Sequence, residues 1–517
     1  MIDLLIEFRV PIAYALTVWG LTAGFRRGGV PVESRLLRAL AVGVPVTVVA
    51  LIVWSIIVFT CEGGGDPRQF GGLNTLLGFF FIPSSSALTG VVLARRYPMS
   101  SFGRGTILVD GDASESYSTG AGHLTLAGQP IAPLDETKHF KIIGTTGTGK
   151  STAIMELLTG ALARGDRAVI ADPDGSYRER FYDPSRGDVI LTPFDASAAR
   201  WDLFAEIIEP HDADQLARSL IPDYEGQDRN WRGYARTFLT AVLRQLHRFD
   251  EPSMAQLFNV LVRETEVNLR VLLAGTPAAP FLGKDDGGKF FGSVRSVANQ
   301  HLTVIEHLVR QTEGEAVSIR KWIREGRGVL FLPYRANEIA SLRTAISAWM
   351  RLAIFETMSA KEGDQKLWFV IDELDALGAI DGLKDALARL RKFGGRCVIG
   401  FQSIAQVRGI YGDTEAQTIV ENCGTTVILR CSASERGGTA EFASRLIGQR
   451  EVLRKQVSFS RPRRLLGFLR QTRTVTDQIA IEDAVMASEI EQLPDLGGFL
   501  KKASRPEWLR VTLVRKD

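Results

Sequence analysis

The run GTTGTGKST, from Gly144 to Thr152, constrains this chain more than any other stretch. It follows a short apolar run, HFKII (139–143), and leads into TAIMELLTGALA (152–163), which has the spacing of an amphipathic helix. Glycines at such a strand-to-helix turn let bare backbone approach a ligand that any Cβ would obstruct. The pattern is G-x-x-x-x-G-K-[ST], whose backbone N–H groups form a nest for phosphate oxygens. In that reading Gly144, Thr145, Thr146, Gly147, Thr148 and Gly149 form the cradle. Lys150 reaches the β- and γ-phosphates, Ser151 offers its hydroxyl to Mg²⁺, and Thr152 closes the turn. A flexible Gly/Thr turn would not require the flanking strand and helix. The chain is expected to bind ATP with Mg²⁺.

Such a cradle needs a carboxylate at the end of a buried strand. KLWFVIDE (366–373) supplies Asp372 as a Mg²⁺ ligand and Glu373 as the group that polarises the attacking water. FQSIAQV places Gln402 at the carboxyl end of a further strand, where ligands of such sheets lie. Gln402 reads either as a contact to the γ-phosphate or the water, or as an ordinary loop amide. RLRKFGG (389–395) carries Arg389, Arg391 and Lys392. They read either as a solvated helix end or as an arginine finger acting on a neighbouring subunit.

The first hundred residues differ in kind. Residues 39–60 and 73–94 contain no charge, and each has about the 20 residues a membrane-spanning helix needs. Residues 10–24 are apolar but shorter, and read either as a third or re-entrant membrane segment or as one lying at the interface. Arg26, Arg27, Arg35 and Arg38 precede the first run, and Arg95, Arg96 and Arg104 follow the second. The positive-inside bias predicts a multi-pass membrane protein with both flanks, and so the Gly144–Thr152 loop, in the cytoplasm.

The remainder reads as α/β. Apolar runs at 167–174, 188–194, 328–334, 366–373, 397–403 and 425–431 alternate with helical patterns, which predicts a doubly wound, mostly parallel sheet. Residues 200–325 break that rhythm and carry only helical patterns, so an all-helical insertion is expected there. The expected division is a transmembrane region over 1–104, a nucleotide-binding domain over 105–199 and 326–447, the helical insertion over 200–325, and a basic segment over 448–517. That last segment carries Arg450, Arg454, Lys455, Arg461, Arg463, Arg464, Arg470 and Arg473. It suits a nucleic-acid backbone or lipid headgroups, or is simply a solvated loop. The net charge of +3 identifies no partner. Cys61, Cys397, Cys423 and Cys431 show no C-x-x-C spacing, so no metal site follows from them. No LSGGQ-like signature separates the phosphate loop from the acidic strand, which excludes an ABC transporter.

Together DETKHFKIIGTTGTGKST, VIDELDALG, RKFGGRCVIGFQSIAQVRGIYG and NWRGYARTFLTAVL resemble the type IV secretion coupling proteins, the TraD/TrwB-type conjugative DNA translocases, in residues and in order along the chain. The resemblance runs from about residue 40 to 445. It implies a RecA-like P-loop domain on a stem in the bacterial inner membrane, assembled as a homo-hexamer. Its partners would be single-stranded DNA, a relaxase or relaxosome, type IV secretion inner-membrane components and membrane lipid. It implies ATP hydrolysis coupled to DNA translocation, with Gln402 sensing the γ-phosphate and Arg391 the trans-acting finger. A motor delivering protein effectors would keep every one of these motifs. A membrane scaffold using nucleotide only as a switch would not need the intact Lys150, Asp372 and Glu373.

Overall fold

Continuous apolar strands separated by helices form one large sheet in the computed structural model of this 517-residue chain. The structure describes residues 102–111, 124–223, 226–283, 288–363, 365–434, 438–460 and 472–515, with scattered helical positions between 14 and 89. Two units divide the chain, Met1–Arg104 with Arg450–Glu482, and Gly105–Gln449 with Asp483–Asp517. The first carries most of a three-stranded sheet of Phe102–Gly105, Gln449–Ser460 and Thr472–Asp483.

The second unit holds ten described strands in one sheet. In chain order they are β1 (Leu108–Asp110), β2 (Phe140–Ile143), β3 (Arg167–Pro173), β4 (Val189–Ile190), β5 (Val329–Tyr334), β6 (Leu367–Ile371), β7 (Gly395–Phe401), β8 (Thr425–Ile428), β9 (Gly497–Lys501) and β10 (Trp508–Thr512). Across the sheet the order is β1-β10-β9-β8-β2-β7-β6-β3-β5-β4. From β8 to β4 every pairing is parallel. β9 joins β8 antiparallel, and β10 joins β9 antiparallel. The sequence reading sets 448–517 apart as a basic segment; the structure instead returns β9 and β10 to the sheet. Side chains 455–475, which include much of that basic cluster, lie outside the described residues.

Successive residues of the parallel strands alternate between two cores, as period-two geometry requires. Phe369, Ile371, Ile399 and Phe401 face one core. Trp368, Val370, Val398 and Phe140 face the other, with Ile154, Leu157, Leu158 and Ala161 of helix α1 (Lys150–Ala163). Both faces are therefore dry, which is why these strands read as unbroken apolar runs.

Between β4 and β5 the chain is mainly helical, with α2 (Asp212–Leu220) and α3 (Arg229–Leu246). A two-residue parallel pairing of Arg200–Trp201 with Ala316–Val317 ties the ends of this stretch together. Leu216, Phe238 and Val242 share the core that contains Phe369 and Ile371, so helices and sheet face are built on one continuous apolar cluster. Helix α4 (Ile339–Ser359) contributes Trp349, whose ring meets Trp201 edge-on at 5.8 Å. Beyond it, α5 (Leu383–Leu390) precedes β7.

The expected inner-membrane location is overturned. Among the described residues, no helix is long and apolar enough to cross a membrane. An uncharged run is necessary for a span, but a crossing also needs an unbroken helix of about 20 residues. Most of 39–60 and 73–94 lies outside the described residues, as does Cys61.

Candidate functional site

The loop Gly144–Gly149 joins β2 to α1 at the carboxyl edge of the sheet. Gly147 and Gly149 adopt φ of +78° and +114°, where a side chain is strained. Gly149 caps α1 without any side-chain hydrogen bond, so the first-turn N–H groups have no side-chain cap. A Cβ at Gly149 would meet Leu496 Cδ2 at 2.8 Å and Leu513 Cδ1 at 3.0 Å. The Leu496 N–H also donates to the Thr148 carbonyl at 3.0 Å. The residues flanking β9 and β10 therefore form a rear wall to the loop.

Lys150 is buried, and its Nζ donates to the carbonyls of Gly144 at 2.9 Å and Thr145 at 3.2 Å. Burial lowers its pKa, against the opposing pull of Asp372 and Glu373. The ammonium is thus held on two weak neutral acceptors beside two carboxylates, poised for stronger anionic ones.

Because β7 lies between β2 and β6, three strand ends converge. Ser151 Oγ donates to Asp372 Oδ2 at 2.6 Å, and the fully buried Tyr177 hydroxyl donates to the same oxygen at 2.9 Å. Gln402 Nε2 donates to Glu373 Oε1 at 2.9 Å, and Gln402 Oε1 accepts from Thr146 Oγ1 at 2.8 Å. Gln402 therefore links the Gly144–Gly149 loop to the carboxyl end of β6. Burial raises the pKa of Asp372, against the two hydroxyl donors and Lys150. Burial and the nearby Asp372 charge also raise that of Glu373.

Asp372 Oδ1 is buried and has no hydrogen-bond partner. An unpaired buried carboxylate oxygen next to a serine hydroxyl fits Mg²⁺, which takes hard oxygen ligands and completes its shell with phosphate and water. Among the described residues no group of three His, Cys, Asp or Glu forms a metal site by itself. The donor set therefore suits an ion that arrives with a polyphosphate.

Two residues at this edge escaped sequence reasoning. Tyr177 belongs to the short helix Ser176–Phe181 that follows β3. Asp172, at the end of β3, accepts the N–H groups of Tyr177 at 2.9 Å and Arg178 at 2.7 Å, which fixes the start of that helix. Burial pushes the Asp172 carboxyl up to about 6. The rule that ligands lie beyond the carboxyl ends of strands was the available signal.

Arg391 is not brought to its own chain's phosphate loop. It is exposed just before β7, at the amino edge of the sheet, as is Arg389. His139 and Glu136, ahead of the loop, are architectural. His139 Nδ1 accepts the Cys397 N–H at 3.1 Å, so Nε2 carries the proton and donates to the Leu387 carbonyl at 2.9 Å. Glu136 accepts two bonds from Arg164 and one from Arg396.

A strand–loop–helix cradle, with a carboxylate pair two strands away on a parallel sheet, defines a P-loop α/β protein. More narrowly, this chain belongs to the family of the type IV secretion-system coupling protein DNA-binding domain, whose model matches residues 123–514. The coupling protein TraD of Escherichia coli (strain K12) is 33% identical over 374 residues, which are 71% of this chain and 51% of that protein. The chain thus spans about half the length of that relative. The bacterial conjugative coupling protein TrwBdeltaN70, in its unbound monoclinic form, aligns with a TM-score of 0.72 at 32% identity, covering 81% of this chain and 95% of that one. The plasmid coupling protein TrwB in complex with ADP and Mg²⁺ gives 0.70 at 31%, covering 81% and 96%.

Proposed function

We propose that this protein is an ATP-driven motor of conjugation, coupling a relaxase–single-stranded DNA complex to a type IV secretion system and moving the DNA. The observation that carries the reading is the 2.6 Å contact of Ser151 with Asp372 beside the unpartnered Asp372 Oδ1. Membership of the coupling-protein family supports the cargo, and the ADP–Mg²⁺ complex of TrwB supports the ligands.

The backbone of Gly144–Gly149 cradles the phosphates, and Lys150 leaves its two carbonyls to neutralise them. Ser151 and Asp372 would hold Mg²⁺, with Thr152 behind them in the first turn of α1. When bound, the ion would supply Lewis-acid stabilisation of the charge that develops on the phosphates. Glu373 orients the attacking water and accepts its proton. Gln402, shared between Thr146 and Glu373, positions that carboxylate and links it to the γ-phosphate end of the loop. Arg391 serves a neighbouring subunit of a homo-hexamer, because it lies at the opposite edge from its own chain's site. The nucleotide-binding domain comprises 105–199 and 326–447 with β9 and β10 added; 200–325 forms the helical domain.

The test is ATP hydrolysis by the full chain with and without single-stranded DNA, beside Glu373→Gln. DNA-stimulated turnover that Glu373→Gln abolishes supports the reading. Turnover indifferent to DNA removes the cargo assignment, and turnover surviving the substitution removes the role of Glu373.

A further inference from the structure

One face of α4 carries a polar stripe that the nucleotide site does not use. Arg343, Ser347 and Arg351 recur at four-residue steps, so they line up along the helix. Each donates to a backbone carbonyl of the segment that leaves the acidic pair. Arg343 Nε donates to Ala376 at 2.8 Å, Ser347 Oγ to Leu377 at 2.5 Å, and Arg351 Nε to Asp381 at 3.0 Å. Residues 374–382 form no helix or strand, so these carbonyls have no ladder to join. The Tyr411 hydroxyl holds the middle of the segment, accepting from the Ile380 N–H at 3.1 Å and donating to the Gly378 carbonyl at 3.3 Å. The Ala376 N–H in turn donates to the Glu373 carbonyl at 3.2 Å. The position of α4 is thus carried to the backbone of Glu373.

Arg351 differs from the rest of the stripe because it is buried and bound on two sides. Its Nη1 donates to the Gln215 carbonyl at 3.2 Å and to Ser219 Oγ at 3.0 Å, and its Nη2 to Gln215 Oε1 at 3.0 Å. Nη2 also pairs with Asp381 Oδ2 at 3.3 Å. The Phe355 ring, one turn along α4, lies under the fork with its centroid 4.3 Å from Cζ. A guanidinium has five N–H donors in a fixed plane, and the acceptors here are divided between α2 and the segment after Glu373. A rigid fork bonded on both sides passes a shift of α2 on to Asp381 rather than absorbing it.

We propose that Arg351 is a positioning residue that couples α2 to the activation of water by Glu373, and so carries the response of hydrolysis to single-stranded DNA. The inference rests on the DNA-motor reading above and adds the residue through which the cargo's presence reaches the base. Arg351 lies outside both the phosphate loop and the acidic pair. It acts by holding residues 374–382, and through them Glu373, in register with α2.

The test measures ATP hydrolysis by the full chain with and without oligo-dT, in the wild type, in Arg351→Met and in the Gln215→Leu/Ser219→Ala double variant. The double variant removes two of the three α2 acceptors and leaves both contacts to Asp381. Its basal kcat and its affinity for oligo-dT should stay near those of the wild type, while the ratio of DNA-stimulated to basal turnover falls by about fivefold or more. Arg351→Met releases both sides, so basal kcat should also fall, by up to about 100-fold, with KM for ATP moving by less than about threefold. A merely structural role would lower the thermal melt and the active fraction without changing the stimulation ratio. A double variant with the wild-type ratio overturns the proposal and leaves the motor reading intact, whether or not Arg351→Met folds. So does a double variant that no longer binds oligo-dT, because Gln215 and Ser219 would then hold cargo rather than relay its presence. Folded Arg351→Met with wild-type basal and stimulated turnover overturns it as well. Wild-type turnover indifferent to oligo-dT overturns the proposal together with the cargo assignment.

Discussion

Gln402 Nε2 donates to Glu373 Oε1 across 2.9 Å, while the same amide's oxygen accepts from Thr146. One side chain therefore holds the carboxylate proposed as base and reports on the loop proposed to carry phosphate. Gln402→Ala should lower kcat by about 10- to 100-fold, less than the roughly 10²- to 10⁴-fold that a general base itself contributes. Nucleotide affinity, carried by Lys150 and the loop backbone, should change by less than about threefold, a difference below 1 kcal/mol. Steady-state kinetics beside equilibrium binding of a fluorescent nucleotide separates the two.

Tyr177→Phe removes one of the two hydroxyls that donate to Asp372 Oδ2. Partners of a metal-binding carboxylate typically alter metal affinity by about 10- to 100-fold. The Mg²⁺ concentration needed for half-maximal nucleotide binding should rise towards that range, and binding measured without Mg²⁺ should not change. Calorimetry with ADP at several Mg²⁺ concentrations distinguishes this from general loosening of the fold.

Gly400→Ala would place a Cβ 2.2 Å from the Asp372 carbonyl oxygen. β6 and β7 are paired up to Ile371 and Ile399, and both strands are buried along their length. Overpacking of this kind should cost roughly 1–3 kcal/mol of stability. Hydrolysis should fall further than stability, because the displaced residue is Asp372 itself. Urea denaturation and turnover on the same preparation show both effects.

Burial depresses the His139 pKa to about 4, and its neutral ring bridges Cys397 and Leu387. In the unfolded chain the ring titrates near 6.5, so below that pH the unfolded state binds the extra proton. The stabilisation is complete above about 6.5 and is lost as pH falls towards 4, amounting to roughly 3 kcal/mol over that window. Asp172, raised to about 6, works in the opposite sense, so the difference from a variant isolates the histidine. His139 sits at φ +60°, which asparagine tolerates. His139→Asn should lose the acid-side slope in urea midpoints measured from pH 7 to pH 4.5.

What was legible in the residues follows from how each element is stabilised. Strands buried on both faces, such as Leu367–Ile371 and Gly395–Phe401, declare themselves as apolar runs. The loop at Gly144–Thr152 declares itself through glycine positions that tolerate no side chain. β9 and β10 did not, because Gly497 and Gly498 thin the apolar signal and the exposed Arg510 interrupts Trp508–Thr512. Tyr177 did not, because an aromatic residue after a turn ordinarily signals packing. Its role depends on β3 lying beside β6, which no local pattern encodes. The pairing of Gln402 with both Thr146 and Glu373 likewise follows only from the insertion of β7 between β2 and β6.

The wall of Leu496 and Leu513 behind Gly149 sets an order of events during biosynthesis. The phosphate loop leaves the ribosome long before either leucine is made. Until both have emerged and β9 and β10 have docked, the loop's rear contact, including the Leu496 N–H to Thr148, is missing. A nascent chain arrested before residue 496 would display the whole GTTGTGKST sequence with that support absent. The rear wall of the loop is thereby completed only after β9 and β10 have been made and have docked.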